Sequence, residues 1–417
     1  MPDAVVIGGG AAGIAAARTL VRDGANLVLL EAGSRLGGRA HSVVFDNVAL
    51  DLGCGWLHSA ERNPLVAEAE ALGLTIDRTP PGWDTQWRDL GFPPDEQAAL
   101  GAAYERFDAR GLALAQEDED RPLADAVMDP SWRPALENIT GYVCGAPMAA
   151  VSVQDWAAYE RAGTDTNWRV RNGYGTLVAR LGDGVPFRLR TPATRIDHGG
   201  RSLRVETEAG AIEAAVVVVA VPTPVLASGA LAFSPALPAK QDAAAALPLG
   251  LANKAFLRVT AGAEAMLEAE AHLRGNPRKA DTGSYKLRPF GLPVIEAFYG
   301  GEGAEALERA GPGAATASAV DELAASLGSW WRERLSPVAE SAWRAEPWIG
   351  GAYSYARVGC RLARAILAAP VDDRLFFAGE ATSPCDFTTA HGAWSSGLAA
   401  GRAALAALGH DGGRAAR

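Results

Sequence analysis

The sequence predicts an α/β fold that opens with a strand–helix–strand unit, and three observations carry this prediction. A β-branched apolar run at residues 4–7 leads directly into the glycine-rich loop at residues 8–13. An alanine-rich helical stretch follows, and a second apolar run at residues 27–30 ends at Glu31. A strand, a glycine loop, a helix, a strand and an acid at these offsets form a Rossmann-like βαβ unit that binds a dinucleotide.

Each glycine of the loop has a mechanical role in such a unit. Gly8 permits the tight turn, Gly10 lets the backbone approach a pyrophosphate, and Gly13 lets the helix pack on the strand. The helix N-terminus then offers free N–H groups and a positive dipole end to the phosphates. Glu31 lies where a carboxylate accepts hydrogen bonds from both ribose hydroxyls and repels a 2′-phosphate. The loop alone leaves NAD and FAD open.

A second glycine pair favours the larger cofactor. Gly37 and Gly38 follow Glu31 after a short connection that contains Arg35, and Arg39 comes next. Adjacent glycines leave room for backbone against a large ligand, and an arginine offers a forked donor to phosphate. The alternative is a simple turn.

Composition excludes several classes of protein. The 417 residues are 48% hydrophobic and 21% charged, which excludes a disordered chain and a small disulfide scaffold. The net charge of −10 argues against nucleic acid as the main partner. It permits a cationic substrate without predicting one.

The cysteines and the apolar runs bear on location. Four cysteines lie far apart with no C-x-x-C pair, which predicts free thiols, a reducing compartment and no metal site. The N-terminus shows no signal peptide, and the longest apolar run, residues 214–221, is too short for a membrane helix. We therefore expect a cytoplasmic monomer or homodimer without a membrane partner.

The rest of the chain divides into segments of two kinds. Residues 80–165 contain a helix at 98–115 but no parallel strands, and they predict an insertion that covers the nucleotide-binding part. Strands return at 188–190, 203–205 and 215–221, and later at 255–259 and 294–299. A helix is expected at 317–335 and a terminal helix near His391. The interpretation is one domain made of 1–79, 166–249 and 336–417, interleaved with a second, α+β domain made of 80–165 and 250–335.

These motifs together resemble the flavin-containing amine oxidases, the family of the monoamine oxidases, polyamine oxidases and lysine-specific histone demethylases. The N-terminal loop with Glu31, Arg35 and the Gly-Gly-Arg run is similar to the FAD signature of that family. Further matching segments occur in order along the chain: DLG at 51–53 with GWLH at 55–58, GYG at 173–175, AVP at 220–222, FFAGEAT at 376–382 and TAHGA at 389–393. The resemblance implies an FAD-binding domain of the glutathione-reductase type and a substrate-binding α+β domain.

The resemblance also implies which residues hold FAD. Gly8, Gly10, Gly13, Glu31, Arg35, Gly38 and Arg39 match the ADP-binding half, and Ala193 matches a position whose backbone meets adenine. Gly379 and Glu380 match the ribityl-pyrophosphate contacts. Thr389 and Ala390 match positions beside the flavin ring, and Trp348 matches an aromatic residue close to it. Ala352 stands where some members attach FAD through cysteine, so the resemblance implies non-covalent FAD.

Three residues match catalytic positions of the family. Lys254 matches the lysine that holds a water against flavin N5; on spacing alone it reads as a lysine at a strand end. Tyr353 matches an aromatic wall facing the flavin, whose second aromatic is replaced here by Thr389. His58 matches a histidine of many polyamine oxidases that lines the substrate channel, although a histidine satisfied at an interface is an open alternative.

The resemblance implies an FAD-dependent amine oxidase. The C–N bond of a polyamine or primary amine is oxidised to an imine, water releases an aldehyde or ketone plus an amine or ammonia, and O2 becomes H2O2. Two alternatives stay open. One is an FAD-dependent carbon–carbon desaturase of the protoporphyrinogen or phytoene type, and the other is a redox-silent FAD-binding module.

Overall fold

The computed structural model describes residues 1–409. Strands are short, most of them three to five residues, as is usual for a twisted open sheet. In chain order they are β1 (Ala4–Ile7), β2 (Leu27–Leu30), β3 (Ser42–Phe45), β4 (Val48–Asp51), β5 (Ile76–Asp77), β6 (Arg169–Val170), β7 (Phe187–Arg188), β8 (Ala193–Asp197), β9 (Leu203–Thr207), β10 (Gly210–Ala214), β11 (Val216–Val219), β12 (Ala232–Ser234), β13 (Ala252–Val259), β14 (His272–Arg274), β15 (Ser284–Leu287), β16 (Val294–Gly300), β17 (Leu335–Glu340) and β18 (Leu375–Phe377).

The α-helices range from single turns to a helix of 21 residues. They are α1 (Ala11–Arg22), α2 (Pro64–Ala71), α3 (Pro94–Leu114), α4 (Arg133–Cys144), α5 (Val153–Ala162), α6 (Tyr174–Arg180), α7 (Thr223–Ala227), α8 (Pro238–Ala246), α9 (Gly301–Ala310), α10 (Ala314–Leu327), α11 (Ala363–Ala368) and α12 (Ala390–Ala407). Short 3₁₀ turns lie at Leu123–Ala126, Pro130–Trp132, Glu264–Met266, Pro289–Gly291, Ser329–Arg334 and Glu380–Thr382.

A five-stranded parallel sheet forms the nucleotide-binding part, in the order β18-β11-β1-β2-β7. β1 pairs in register with β11 on one side and with β2 on the other. All four residues of β1 and of β11 are buried, as expected for a parallel strand covered on both faces. This sheet confirms the predicted α/β, Rossmann-like fold.

Two helices, α1 and α12, cross at very close range on one face of this sheet. A Cβ on Gly397 would lie 2.0 Å from the Ala12 carbonyl oxygen, and one on Gly401 would lie 3.0 Å from that of Ala16. Glycine facing alanine is therefore what lets the two helix backbones touch. Both helices follow the carboxyl ends of parallel strands. Their N-termini therefore lie at the same edge of the sheet.

The second large sheet is antiparallel, in the order β14-β15-β16-β13-β17. One face packs on α10: Ala255 and Leu257 share a core with Ala319 and Leu323. The opposite face carries the alternate residues of β13 and β16, including Lys254 and Glu296. A further four-stranded sheet, β10-β9-β8-β12, is formed within residues 193–234, where β11 of the parallel sheet lies between β10 and β12 in the chain.

Several expected elements are present with different ends. The insertion at 80–165 is helical, with α3, α4 and α5 and no strand among its residues, all of which the structure describes. The helix expected at 317–335 ends at Leu327, because Gly328 takes a φ of +113° and a 3₁₀ turn follows. β17 pairs with β13 and spans the boundary predicted at residue 336; the domain boundaries stay a prediction. Within residues 1–409, no helix has the length and apolar character that crossing a membrane requires.

Candidate active site

The glycine loop has the geometry that a tight phosphate turn needs. Gly8 has a φ of +104°, and a Cβ there would lie 2.4 Å from the Ala220 carbonyl oxygen. A Cβ on Gly13 would lie 1.8 Å from the Gly8 carbonyl oxygen. The loop contacts the second glycine pair, since the Gly37 amide donates to the Gly9 carbonyl at 2.8 Å. Gly8 and Gly13 therefore leave no room for a side chain, and both positions require glycine.

Glu31 and Arg35 brace this loop from the side. The Glu31 carboxylate accepts from the Gly9 and Gly33 amides, each at 2.6 Å. The Thr191 amide donates to the Glu31 carbonyl at 2.9 Å, which brings the segment leading to Ala193 alongside. Arg35 donates to the Leu36 and Ala40 carbonyls, each at 3.3 Å, so its guanidinium shapes the loop itself.

The loop leaves a cradle that fits a dinucleotide. A Cβ on Gly10 would meet no described atom closer than 4.0 Å, and one on Gly379 would meet none within 4 Å. Both glycines thus face open space at the ends of β1 and β18. No side chain of the described residues caps the N-terminus of α1. Its first amides are therefore available to an anion, as pyrophosphate binding requires.

Arg39 joins this cradle to the C-terminal motif. Its Nη1 lies 2.9 Å from Glu380 Oε1 and donates to the Ala352 carbonyl at 2.7 Å. Burial disfavours the Glu380 carboxylate, but Arg39 and Arg364 hold the pKa of Glu380 below its ordinary value. Glu380 Oε2 also accepts from the Thr388 amide at 3.0 Å. A single buried carboxylate therefore fixes Arg39 and the segment that leads into α12.

The start of α12 is ordered by its own side chains. Thr389 is the N-cap: its Oγ1 accepts from the Gly392 amide at 3.0 Å and donates to the Asp386 carbonyl at 2.6 Å. Asp386 in turn lies 3.3 Å from His391 Nε2 and 2.6 Å from Arg62. Ala390 is the first helical residue, so its amide lies at the positive end of the helix dipole.

Lys254 is buried on β13 at the edge of a cleft. Its Nζ lies 2.9 Å from Glu296 Oε1, and a Cβ on Gly55 would approach that nitrogen to 2.7 Å. The cleft has about 390 Å³ of empty space, part of it open to solvent. Besides Lys254 and Glu296, its lining includes Asp51, Trp56, Arg169, Phe256 and Phe290. The cleft thus combines aromatic walls with carboxylates.

His58 is neutral near pH 7 and feels the charge of Lys254. Burial, chiefly, lowers the pKa of His58 to about 4. Its Nδ1 lies 2.7 Å from Asn167 Oδ1, and Asn167 uses its NH2 group to donate to the Asp165 carbonyl. Nδ1 must therefore carry the proton, which leaves Nε2 as an acceptor. Trp83 lies beside the ring, 6.1 Å between centroids.

Tyr353 is fixed by a hydrogen bond inside the protein, whereas Trp348 is partly exposed to solvent. Tyr353 is held by its hydroxyl, which donates to the Tyr142 carbonyl, and burial raises the pKa of Tyr353 well above its ordinary value. Trp348 is 39% exposed and lies near Glu346, which acts electrostatically on Arg35. The buried tryptophan of this segment is Trp343, whose Nε1 donates to the Leu52 carbonyl at 3.2 Å.

Comparison with known proteins adds the family. The sequence profile described as "Flavin containing amine oxidoreductase" matches residues 11–107 and 95–405. The chain belongs to this family. It is a flavin-dependent amine oxidase, and FAD is its cofactor.

Individual relatives agree with this assignment. "Polyamine oxidase 2" of Arabidopsis thaliana is 31% identical to this amine oxidase over 96% of the chain and 87% of the relative. A structure of putrescine oxidase bound to putrescine superposes with a TM-score of 0.80 at 21% identity, covering 97% of this chain and 99% of that one. Cyclohexylamine oxidase from Brevibacterium oxydans IH-35A superposes with a TM-score of 0.76 at 23% identity, covering 98% and 99%. The structural matches confirm the fold.

Sequence reasoning missed several residues of this oxidase that the fold brings to the site. Glu296 pairs with Lys254, Trp56 lines the cleft, and Asp155 and Arg364 form a buried pair next to Ser354. The signal for Glu296 was present, since it is the single charge in the apolar strand β16. Asp155 and Arg364 are far apart in sequence, so no local pattern indicated that they would meet.

Proposed function

We propose that this enzyme oxidises a primary amine or polyamine in the cleft beside Lys254 and that O2 accepts the electrons. The observation that carries the proposal is a buried lysine, Lys254, on the wall of a partly aromatic cleft and near enough to neutral His58 to act on it electrostatically. A site of this kind can orient the amine through a hydrogen bond, while the hydride equivalent leaves to the bound cofactor.

FAD, when bound, supplies the acceptor for the hydride equivalent that leaves the carbon next to nitrogen. The amide ends of α1 and the guanidinium of Arg39 would hold its phosphates, and Glu31 its ribose. Glu380, Thr389 and Ala390 would face the flavin end. Since Ala352 offers no thiol, the cofactor would be held without a covalent bond.

The chain's own residues would divide the work on the substrate. His58 Nε2 would accept a hydrogen bond from the substrate amine. Lys254 would hold a water through its ammonium hydrogens, and Tyr353 would form one wall of the site. The overall balance is amine plus O2 plus water giving an aldehyde or ketone, ammonia or a shorter amine, and H2O2.

The substrate class follows from the charges and from the relatives. At the cleft the carboxyl groups of Glu296 and Asp51 face the cations Lys254 and Arg169. The chain as a whole carries a net charge of −10, which favours approach of a cationic amine. The names of the relatives, a polyamine oxidase and a putrescine oxidase, support an aliphatic di- or polyamine. A primary monoamine is the second candidate, supported by the cyclohexylamine oxidase likeness.

Location and assembly also stay proposals. Cys54, Cys144, Cys360 and Cys385 are free thiols, which supports the cytoplasm as the compartment. A monomer or a homodimer is the expected assembly.

The decisive experiment is anaerobic reduction of the bound flavin by a panel of amines, followed by admission of oxygen. The panel holds putrescine, spermidine, spermine, benzylamine and several amino acids. We expect a di- or polyamine to bleach the flavin and oxygen to restore it with one H2O2 per amine. A flavin that no amine bleaches would support the redox-silent module. A polyene and a porphyrinogen are tested separately, and bleaching by one of these alone would support the desaturase.

A further inference from the structure

A buried ion pair connects the inserted helix α5 with α11. Arg364 Nε lies 2.7 Å from Asp155 Oδ1, and Arg364 Nη2 lies 2.8 Å from Asp155 Oδ2. Both side chains are 4% exposed. The bidentate geometry fixes the guanidinium plane, and the Arg364 guanidinium also lies 3.5 Å from the centre of the Phe387 ring.

The same guanidinium continues towards the cofactor cradle. Arg364 Nη1 donates to Ser354 Oγ at 2.9 Å, and Ser354 Oγ donates to Glu380 Oε2 at 2.7 Å. Glu380 Oε1 then accepts from Arg39 Nη1 at 2.9 Å. Asp155, Arg364, Ser354, Glu380 and Arg39 thus form one continuous chain of polar contacts, which we name the Asp155–Arg39 relay.

A gain in stability alone does not explain why these charges are buried. A buried ion pair often contributes no more than apolar residues of the same volume would, because both charges lose water. Glu380 is almost fully buried, and without Arg364 it would keep Arg39 as its only cationic partner in the relay. Its location between two arginines therefore points to a role at the cradle.

We propose that Arg364, held by Asp155, is a positioning residue that keeps the Glu380 carboxylate in its contacts with Arg39 and the Thr388 amide, so that this end of the cradle is shaped for FAD. Arg364 itself acts through Ser354 and Glu380 and does not touch the cofactor. The inference rests on the proposed placement of FAD beside Arg39 and Glu380. It adds two residues, Asp155 and Arg364, that no local motif marks.

The test compares two substitutions on the supports of the same helix. Arg364→Met removes the relay, whereas Lys240→Met removes the lysine that donates to the Ile366 and Leu367 carbonyls at the end of α11. Lys240 is also buried but makes no contact with Glu380 among the hydrogen bonds and ion pairs of residues 1–409. Both variants lose a buried cation, and only one loses the relay. Three quantities are measured on the full chain: the dissociation constant of FAD, the urea unfolding of the apoprotein, and the midpoint potential of the bound flavin.

We expect Arg364→Met to weaken FAD binding about tenfold or more, as loss of a charge-assisted contact does, and to shift the flavin potential. Lys240→Met should lower apoprotein stability comparably and leave the FAD dissociation constant within about twofold. Arg364→Lys, which keeps the charge, should recover part of the affinity. Equal effects of Arg364→Met and Lys240→Met on FAD affinity, or an unchanged affinity in Arg364→Met, would overturn the inference.

Two more variants separate a failure of folding from a failure of the proposal. If Arg364→Met does not fold, Ser354→Ala removes the hydroxyl link of the relay and leaves the longer backbone contacts of residue 354 with Glu380 and Arg364. We expect weaker FAD binding there as well, and normal binding would refute the relay. Arg39→Met tests the placement itself. If Arg39→Met binds FAD normally, the proposed placement of FAD beside Arg39 is wrong. If Arg39→Met loses FAD affinity and Arg364→Met does not, the placement stands and only the role of the relay is refuted.

Discussion

Buried Lys254 and half-buried Glu296 form an ion pair across the antiparallel strands β13 and β16, with 2.9 Å between Nζ and Oε1. Lys254 is directly opposite Phe298, and Glu296 is opposite Phe256, so the two side chains meet diagonally on one face of the sheet. The carboxylate therefore holds the lysine against the cleft, where its remaining hydrogens can bind a water.

Lys254→Met should slow flavin reoxidation or reduction at least about tenfold while FAD stays bound, since the ammonium that orders the water is lost. Stopped-flow absorbance measures both half-reactions separately. Lys279→Met is the matched control, because Lys279 is exposed and the substitution is chemically identical. Wild-type rates in both half-reactions of Lys254→Met would remove the lysine from the mechanism.

Asn167→Asp should introduce an ionisation near neutral pH into the kcat/KM profile. His58 has a pKa of about 4 in the folded enzyme, so the native profile should show no ionisation of this group between pH 6 and 8. A carboxylate at position 167 would favour the charged imidazolium and raise that pKa. Activity of the variant should then fall as the pH drops below 7. A profile that superposes on that of the native enzyme would contradict the assigned tautomer or the role of His58.

Gly397→Ala should destabilise the protein by at least about 2 kcal/mol, because its methyl group would enter the space of the Ala12 carbonyl oxygen. Gly101→Ala is the matched control: it is exposed on α3 with no described atom within 4 Å of its Cβ, and helix propensity predicts a gain of roughly 0.5–1 kcal/mol. Urea unfolding of the apoproteins measures both. A gain in both variants would show that α1 and α12 are able to separate.

Glu160→Gln should stabilise the protein at pH 8 and not at pH 4. Burial, together with Asp108, raises the pKa of Glu160 to about 7. The folded state therefore binds this proton more tightly than the unfolded state. Its contribution is complete below the unfolded pKa of about 4.5 and is lost as the pH rises through 7.

The expected difference between wild type and Glu160→Gln at pH 8 is on the order of 1–3 kcal/mol in the free energy of unfolding. Urea titrations at both pH values measure it, and Glu119→Gln at an exposed site serves as the control. A difference that does not depend on pH would mean that Glu160 ionises normally in the folded state.

Local requirements explain what could be predicted from the sequence. Gly13 is needed by a contact with Gly8 inside their own βαβ unit, and Gly8 by its positive φ in the turn, so the glycine spacing between two apolar strands indicated the parallel sheet. Glu31 ends the second strand of that same unit. Lys254 was identified by its match to a family motif. Its position in an apolar strand would not have sufficed, because a lysine at a strand end gives the same pattern.

Long-range pairs explain what could not be predicted. Asp155 and Arg364 are 209 residues apart and meet only because the tertiary fold brings the first turn of α5 within reach of the Arg364 side chain on α11. Glu296 reaches Lys254 through the pairing of β16 with β13, which no local pattern specifies. The helix expected at 317–335 was too long because the positive φ of Gly328, which ends the regular helix, is set by tertiary structure as well as by residue type.

The order of strands in the parallel sheet has a consequence for biosynthesis. β1 is made first, yet its neighbour β11 lies at residues 216–219, and the edge strand β18 lies at 375–377. A nascent polypeptide on the ribosome therefore carries an unclosed nucleotide pocket until β18 has been synthesised, more than 300 residues after β1. Such delayed, non-local assembly folds slowly and exposes apolar strands to aggregation, so recombinant yield should depend on the supply of chaperones and riboflavin late in translation.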